Sequence, residues 1–186
     1  MIEVDPFDQP DVEHAKDLAR QAMEHRAAPA AAVTPYGARV DPKGGPVADL
    51  DPWLASIRSG DYVAVQAFLA PEPATGEALD ALASALRRRC GTPVTVGFGP
   101  RFLHSTGQLH KGGPPSGAFL QIVDEPVEDL EVPELGLTFG TILRAQARGD
   151  RGALEEKHRR LVVANVGATP AAGVRRLAAQ VARAAP

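Results

Sequence analysis

The stretch Tyr-Val-Ala-Val-Gln-Ala-Phe-Leu, residues 62–69, constrains the fold more than any other. A strand with one face in water alternates apolar and polar side chains, and this one does not. Its only amide or charged side chain is Gln66. Such a run belongs in a sheet covered on both faces, which in practice is a parallel sheet carrying helices on each side. Downstream segments repeat the pattern. A turn at 71–74 leads to a helix predicted over 76–89, capped by Thr75, with Ala78, Leu79, Leu82, Ala85 and Leu86 inward and Cys90-Gly91 as its stop. Short apolar runs at 93–98, 118–123 and 160–166 read as further strands. Strands separated by helices predict a layered α/β fold of about four mainly parallel strands with flanking helices.

Other elements fill the intervals. Residues 52–59 form a short helix ended by Gly60-Asp61. Residues 124–137 are acidic and proline-containing, hence mostly loop. A helix over 139–148 turns Phe139, Ile142, Leu143 and Ala147 inward, and Gly149-Asp150 restarts it as a second helix over 151–157. Thr169-Pro170 opens a last helix. Ahead of this domain, 49–186, stand two other segments. Residues 1–26 contain a helix over 5–26, with Asp5 or Asp8 as its cap and Pro10, Asp11 and Glu13 suited to a first turn. Val12, Ala15, Ala19, Ala22 and Met23 give it a partial apolar stripe, with Leu18 beside it. Residues 27–48 are rich in Ala, Pro and Gly and read as a linker.

Aromatic residues make up only 5% of a chain that is 44% hydrophobic, so its core must be built from Ala, Val and Leu. A net charge of −3 offers no basic field for nucleic acid. No run reaches the roughly 18 apolar residues of a membrane span. The acidic start, Met1-Ile2-Glu3-Val4-Asp5, lacks the parts of a secretion signal, and the single Cys90 permits no internal disulfide. The expectation is a cytoplasmic protein without nucleic-acid or membrane partners.

The chemistry concentrates in residues 98–117. Gly99, Gly107, Gly112, Gly113 and Gly117 let backbone approach a ligand closely. Between them Arg101, His104, His110 and Lys111 supply positive donors, and Ser105, Thr106 and Gln108 neutral ones. That mixture suits an anionic, hydroxyl-rich molecule such as a sugar phosphate. The segment leaves the carboxyl end of the second strand, the edge at which open α/β sheets bind ligands. The plainer alternative is a polar loop with ordinary turn chemistry. His104 and His110 stand six apart with no carboxylate between, which matches no usual zinc spacing. No Gly-x-Gly-x-x-Gly or Walker loop occurs. Neither metal nor organic cofactor is expected.

The N-terminal helix adds a sharper signal. Phe7-Asp8-Gln9-Pro10-Asp11-Val12-Glu13-His14-Ala15-Lys16 resembles the C-terminal signature of the phosphoglucose isomerase family, Phe-Asp-Gln-x-Gly-Val-Glu-x-x-Lys. Phe7, Asp8, Gln9, Val12, Glu13 and Lys16 match it, and Asp11 stands where the family has Gly. Residues 99–114, with Phe119-Leu120-Gln121-Ile122, Phe139-Gly140 and 145–150, are similar to a segment of bacterial proteins that fuse transaldolase to phosphoglucose isomerase. The resemblance covers most of the chain. It implies the C-terminal part of a glucose-6-phosphate isomerase, which interconverts glucose 6-phosphate and fructose 6-phosphate through an enediol. It implies Gln9 and Lys16 facing the sugar, with Lys16 handling its oxygens. His104 or His110 would open the ring, and Arg101 and Lys111 would offset phosphate charge. The family's base is a Glu upstream of the signature, where this chain has no match, so the site is expected to be incomplete here. Implied partners are a sugar phosphate, the remaining isomerase or transaldolase domains, and a second copy of the chain meeting the apolar stripe of the first helix.

A different class of reading stands beside this one: a non-catalytic sugar-phosphate-binding or assembly module. Taken alone, Lys16 is a solvated helix lysine, with Glu13 as its i, i+3 partner. His104 and His110 can equally hydrogen-bond loop backbone, Arg101 can pair with the acidic stretch 124–134, and Gln146 and Asp150 can cap and stop a helix.

Overall fold

A computed structural model describes residues 10–24, 50–104, 106–125 and 127–183. The proposed caps Asp5 and Asp8, the residues Gln9 and Ser105 and the linker 27–48 lie outside them. The elements, in chain order, are α1 (Pro10–Glu24), α2 (Leu50–Ala55), β1 (Tyr62–Phe68), α3 (Pro73–Cys90), β2 (Val94–Phe98), a 3-10 turn at Arg101–Leu103, α4 (Thr106–Gly112), β3 (Gly117–Val123), β4 (Glu131–Val132), β5 (Leu137–Thr138), α5 (Phe139–Glu156), β6 (Arg160–Asn165) and α6 (Pro170–Arg183).

Four strands form a parallel sheet in the order β2-β1-β3-β6, the layered α/β fold that the sequence predicts. Val65 of β1 lies between Val96 of β2 and Leu120 of β3, and Leu120 in turn pairs with Val162 of β6. Side chains alternate between the faces of a pleated sheet. One face therefore carries Val63, Val65, Ala67, Leu120, Ile122, Val162 and Ala164, all buried against α2, α3 and α6 with Trp53, Leu82, Leu86, Val174 and Val181. The other face carries Ala64, Gln66, Phe68, Phe119, Gln121, Leu161 and Val163. It is covered by α4, α5 and the 3-10 turn.

The helices differ from the sequence expectations in instructive ways. α3 begins at Pro73, where a proline's fixed φ suits the first helical position. Thr75 is accordingly a buried residue inside the helix, not its cap. Gly91, in the left-handed conformation at φ 65°, closes α3 by donating its N–H to Arg87 O. α5 runs unbroken through Gly149 and Asp150, which the sequence marks as a restart. Its N-cap is Thr138, whose hydroxyl accepts from Thr141 N at 3.1 Å. The acidic stretch after β3 is not all loop, because β4 and β5 form a short antiparallel pair. The segment 98–117 is not one loop either, since it holds the 3-10 turn and α4.

α1 lies along α5. Val12, Ala15 and Ala19 of its apolar stripe are buried there within the chain, which removes that stripe as an argument for a second copy. The crossing is close enough to require Gly149, because a Cβ at that position would stand 2.3 Å from Ala15 O. Polar contacts fix the register of α1. Asp11 accepts from Gln108 Nε2 at 2.8 Å and pairs with Lys157 at 2.9 Å, and its own N–H donates to Gln108 Oε1. His14 meets Glu156 at 2.5 Å. Asp11, where the signature has Gly, thus ties α1 both to α4 and to the C-terminal end of α5.

Candidate functional site

Among the described residues, adjoining clefts open on the side of the molecule where the strands end. The smaller, of about 470 Å³, lies between α1, the turn after β2 and α5. Lys16, Ala19, Arg20 and Met23 of α1 line one wall. Arg101, Leu103 and His104 line a second, and Ile142 and Gln146 of α5 a third. The close α1–α5 packing carries Lys16 to this position, and β2 delivers Arg101 and His104. Three of the candidate residues, from distant parts of the sequence, therefore share one cleft.

Its electrostatics are cationic. Arg101 and His104 are exposed, and Arg101 makes no ion pair among the described residues, with the acidic stretch 124–134 or otherwise. Lys16 pairs with Glu13 at 2.6 Å, the i, i+3 contact that the sequence suggests, and the nearby ammonium holds the exposed Glu13 carboxyl below its ordinary range. No carboxylate lines the cleft itself among the described residues. Arg20 pairs with Asp17 as Lys16 does with Glu13, so an anionic ligand entering here meets Arg101 as the unpaired cation among the described residues of the lining and two cations that share their charge with carboxylates outside it.

The other candidates are placed elsewhere. Thr106 is exposed at the start of α4, and Gln108 is engaged with Asp11. His110 and Lys111 line neither cleft; both are buried beneath the sheet's second face. The Lys111 ammonium bonds Asp150 at 2.5 Å, with both side chains fully excluded from water. His110 sits among Tyr62, Phe102 and Phe119, with Nδ1 at 3.3 Å from Gln66 Nε2. Burial, aided by the Lys111 charge, pushes its imidazole down from 6.5 to about 4, so it is neutral at pH 7. Gln121 completes this polar layer by donating to Ala147 O at 3.0 Å. Arg159 closes the C-terminal end of α4 by donating to Lys111 O and Gly113 O, each at 2.6 Å.

Asp150, which the sequence suggests as a helix stop, is instead a buried residue inside α5. A signal for it exists. Leu143, Ala147, Asp150 and Leu154 recur at helical spacing, so Asp150 falls on the buried stripe of α5, where a carboxylate must have a partner. Gln66 and Gln121, single amides inside strands buried on both faces, carry the same signal.

The larger cleft, of about 550 Å³, opens beyond the ends of β1, β2 and β3. Phe68, Phe98 and Val123 form its floor, and Phe139, Leu143 and Arg144 of α5 its wall. Asp124, directly after β3, reaches it half-buried, and that burial raises its carboxyl pKa above the ordinary value. Asp129 stands at its rim, accepting from Gly140 N at 2.7 Å and Thr138 Oγ1 at 2.6 Å and pairing with Arg144 at 3.5 Å. These contacts hold the Asp129 carboxyl below its usual range. The clefts adjoin, sharing Pro100, Arg101, Ile142 and Gln146. Among the described residues no helix is long and apolar enough to cross a membrane.

No protein-family model matches the chain, and no curated protein does. A solved structure is similar: a hypothetical protein from Thermus thermophilus, with TM-score 0.57 and 21% sequence identity over 91% of this chain. The match spans 42% of that protein's length. At this identity the likeness speaks to the fold alone, a parallel α/β layer shared by the two chains.

Proposed function

We propose that the chain forms one wall of a sugar-phosphate site, as the C-terminal portion of a glucose-6-phosphate isomerase. The observation that carries this reading is the meeting of Lys16, Arg101 and His104 in one cleft that no carboxylate lines among the described residues. Aldose–ketose isomerisation passes through an enediol whose oxygens carry developing negative charge. Positive donors fixed around those oxygens lower its energy. Lys16, with Gln9 upstream of it, serves the sugar oxygens. His104, exposed at the mouth, transfers the ring-opening proton, and Arg101 balances the phosphate. His110 and Lys111 act as positioning residues instead: by holding α4 against α5 they support the strand-end turn that carries Arg101 and His104.

Proton transfer between C1 and C2 also needs a carboxylate base. The described lining of the cleft supplies none, which favours the second reading, a binding wall completed by another segment or chain. Titration with fructose 6-phosphate tests both. Saturable binding is expected, weakened about tenfold by Lys16→Ala, Arg101→Ala or His104→Ala, as loss of one charged hydrogen bond implies. Absence of binding, or equal affinity in all three variants, rejects the site. Formation of glucose 6-phosphate by the purified chain alone would reject the binding-only reading.

A further inference from the structure

The larger cleft is ill suited to a sugar phosphate. Its floor and much of its wall are aromatic and aliphatic, with the partly exposed rings of Phe98 and Phe139 open to a ligand, and a hydroxyl-covered hexose gains little against such a surface. A flat heterocycle gains much, since it can stack on those rings. The location points the same way. The chain leaves β1 for β2 on one side of the sheet, and β3 lies on the other, so the cleft opens at the point where strand order reverses. Open parallel sheets bind ligands at that point.

Two polar features orient the ligand. Asp124, half-buried at the end of β3, is in no ion pair among the described residues and offers a carboxylate to N–H donors. The positive end of α5 is already taken by Asp129 through Gly140 N and Thr138 Oγ1, and Arg144 in the wall of this cleft pairs with the same carboxylate at 3.5 Å. A phosphate must therefore lie at the opposite end, where Arg101 is common to both clefts and leads to Lys16 and His104.

We propose that the joined clefts bind a purine nucleotide, its base stacked in the larger cleft with an edge on Asp124 and its phosphate at Arg101 in the smaller. A guanine presents two adjacent N–H donors to a carboxylate where an adenine presents one, so GMP is the preferred probe over AMP. The proposal rests on the cationic cleft assigned above to sugar phosphate, and it makes the two ligands competitors.

Calorimetric titration of the full chain with GMP, AMP and fructose 6-phosphate tests it. GMP is expected to bind more tightly than AMP and to be displaced by fructose 6-phosphate. Asp124→Asn should weaken GMP binding about tenfold and leave fructose 6-phosphate unchanged. Phe139→Ala, at a ring that is 58% exposed and so outside the core, should weaken GMP several-fold with the same selectivity. Arg101→Ala should weaken both ligands. A chain that binds fructose 6-phosphate but not GMP overturns the nucleotide proposal alone, as does GMP affinity untouched by both Asp124→Asn and Phe139→Ala. GMP binding without fructose 6-phosphate binding upholds it and rejects the sugar-phosphate assignment.

Discussion

The two faces of the sheet are built from alternate residues of the same strands, yet they solve burial differently. The face under α2, α3 and α6 is closed by valine, leucine, isoleucine, alanine and one tryptophan. The face under α4 and α5 buries Gln66, His110, Lys111, Gln121 and Asp150. Apolar packing is tolerant, because side chains of suitable volume can replace one another at modest cost. Buried polar groups are not, since each needs a particular partner at a particular place. The apolar face therefore provides cohesion, and the polar face fixes where α4, α5 and, through them, α1 stand. Both clefts are lined by elements of the second face.

The sharpest way to break this contrast is to orphan one buried charge. Lys111→Met leaves Asp150 without its cation in a site that excludes water, and should cost about 3–5 kcal/mol in chemical denaturation. Lys111→Met combined with Asp150→Leu should recover most of that loss, because two apolar side chains then fill the space without desolvation. The double variant would be stable but less exactingly positioned, with weaker fructose 6-phosphate binding. Full retention of affinity would show that the apolar solution serves this face as well as the polar one.

Acid should distinguish the faces next. His110 is neutral in the folded chain with its imidazole lowered to about 4, whereas an unfolded histidine titrates near 6.5. The folded state thus binds the proton less readily. The stability linked to this group is present above pH 6.5 and is lost as pH falls from 6.5 toward 4. The full loss is on the order of 3 kcal/mol. Tyr62 and Lys111 face the same ring, and Lys111 opposes its protonation. Denaturation curves for His110→Gln should decline less steeply than wild type between pH 6.5 and 4.5. Parallel curves would mean that water reaches the imidazole.

The sequence reveals the two faces unequally. Strands at 62–69, 93–98, 118–123 and 160–166 are legible because a run buried on both sides needs only apolar composition and turns at its ends, and each lies within a residue or two of an observed strand. α4 is not legible: Gly107 and Gly112 within seven residues read as loop. What makes it helical is tertiary, namely the burial of His110 and Lys111 and the capping of its last carbonyls by Arg159. The Lys111–Asp150 partnership spans 39 positions, and no local pattern links the two. The meeting of Lys16 with Arg101 and His104 has the same origin, since it depends on α1 lying along α5.

That crossing supplies the finest test, because it separates position from stability. Gly149 admits Ala15 O to within 2.3 Å of where a Cβ would stand, and Ala19 N to within 2.7 Å. Both are backbone atoms and cannot turn aside as a side chain can, so Gly149→Ala must push α1 outward. Against this, alanine favours the helix over glycine by about 1 kcal/mol. The two effects leave a net loss of about 1–2 kcal/mol, smaller than that from an orphaned charge. Ligand affinity should fall by more than this modest change suggests, because Lys16 moves with α1 while Arg101 and His104 stay. Amide exchange should quicken in α1 and remain slow in α3 and α6, whose packing does not involve Gly149. Uniform quickening across the molecule would mean that α1 is part of one cooperative core, and that the two faces are less separable than their chemistry implies.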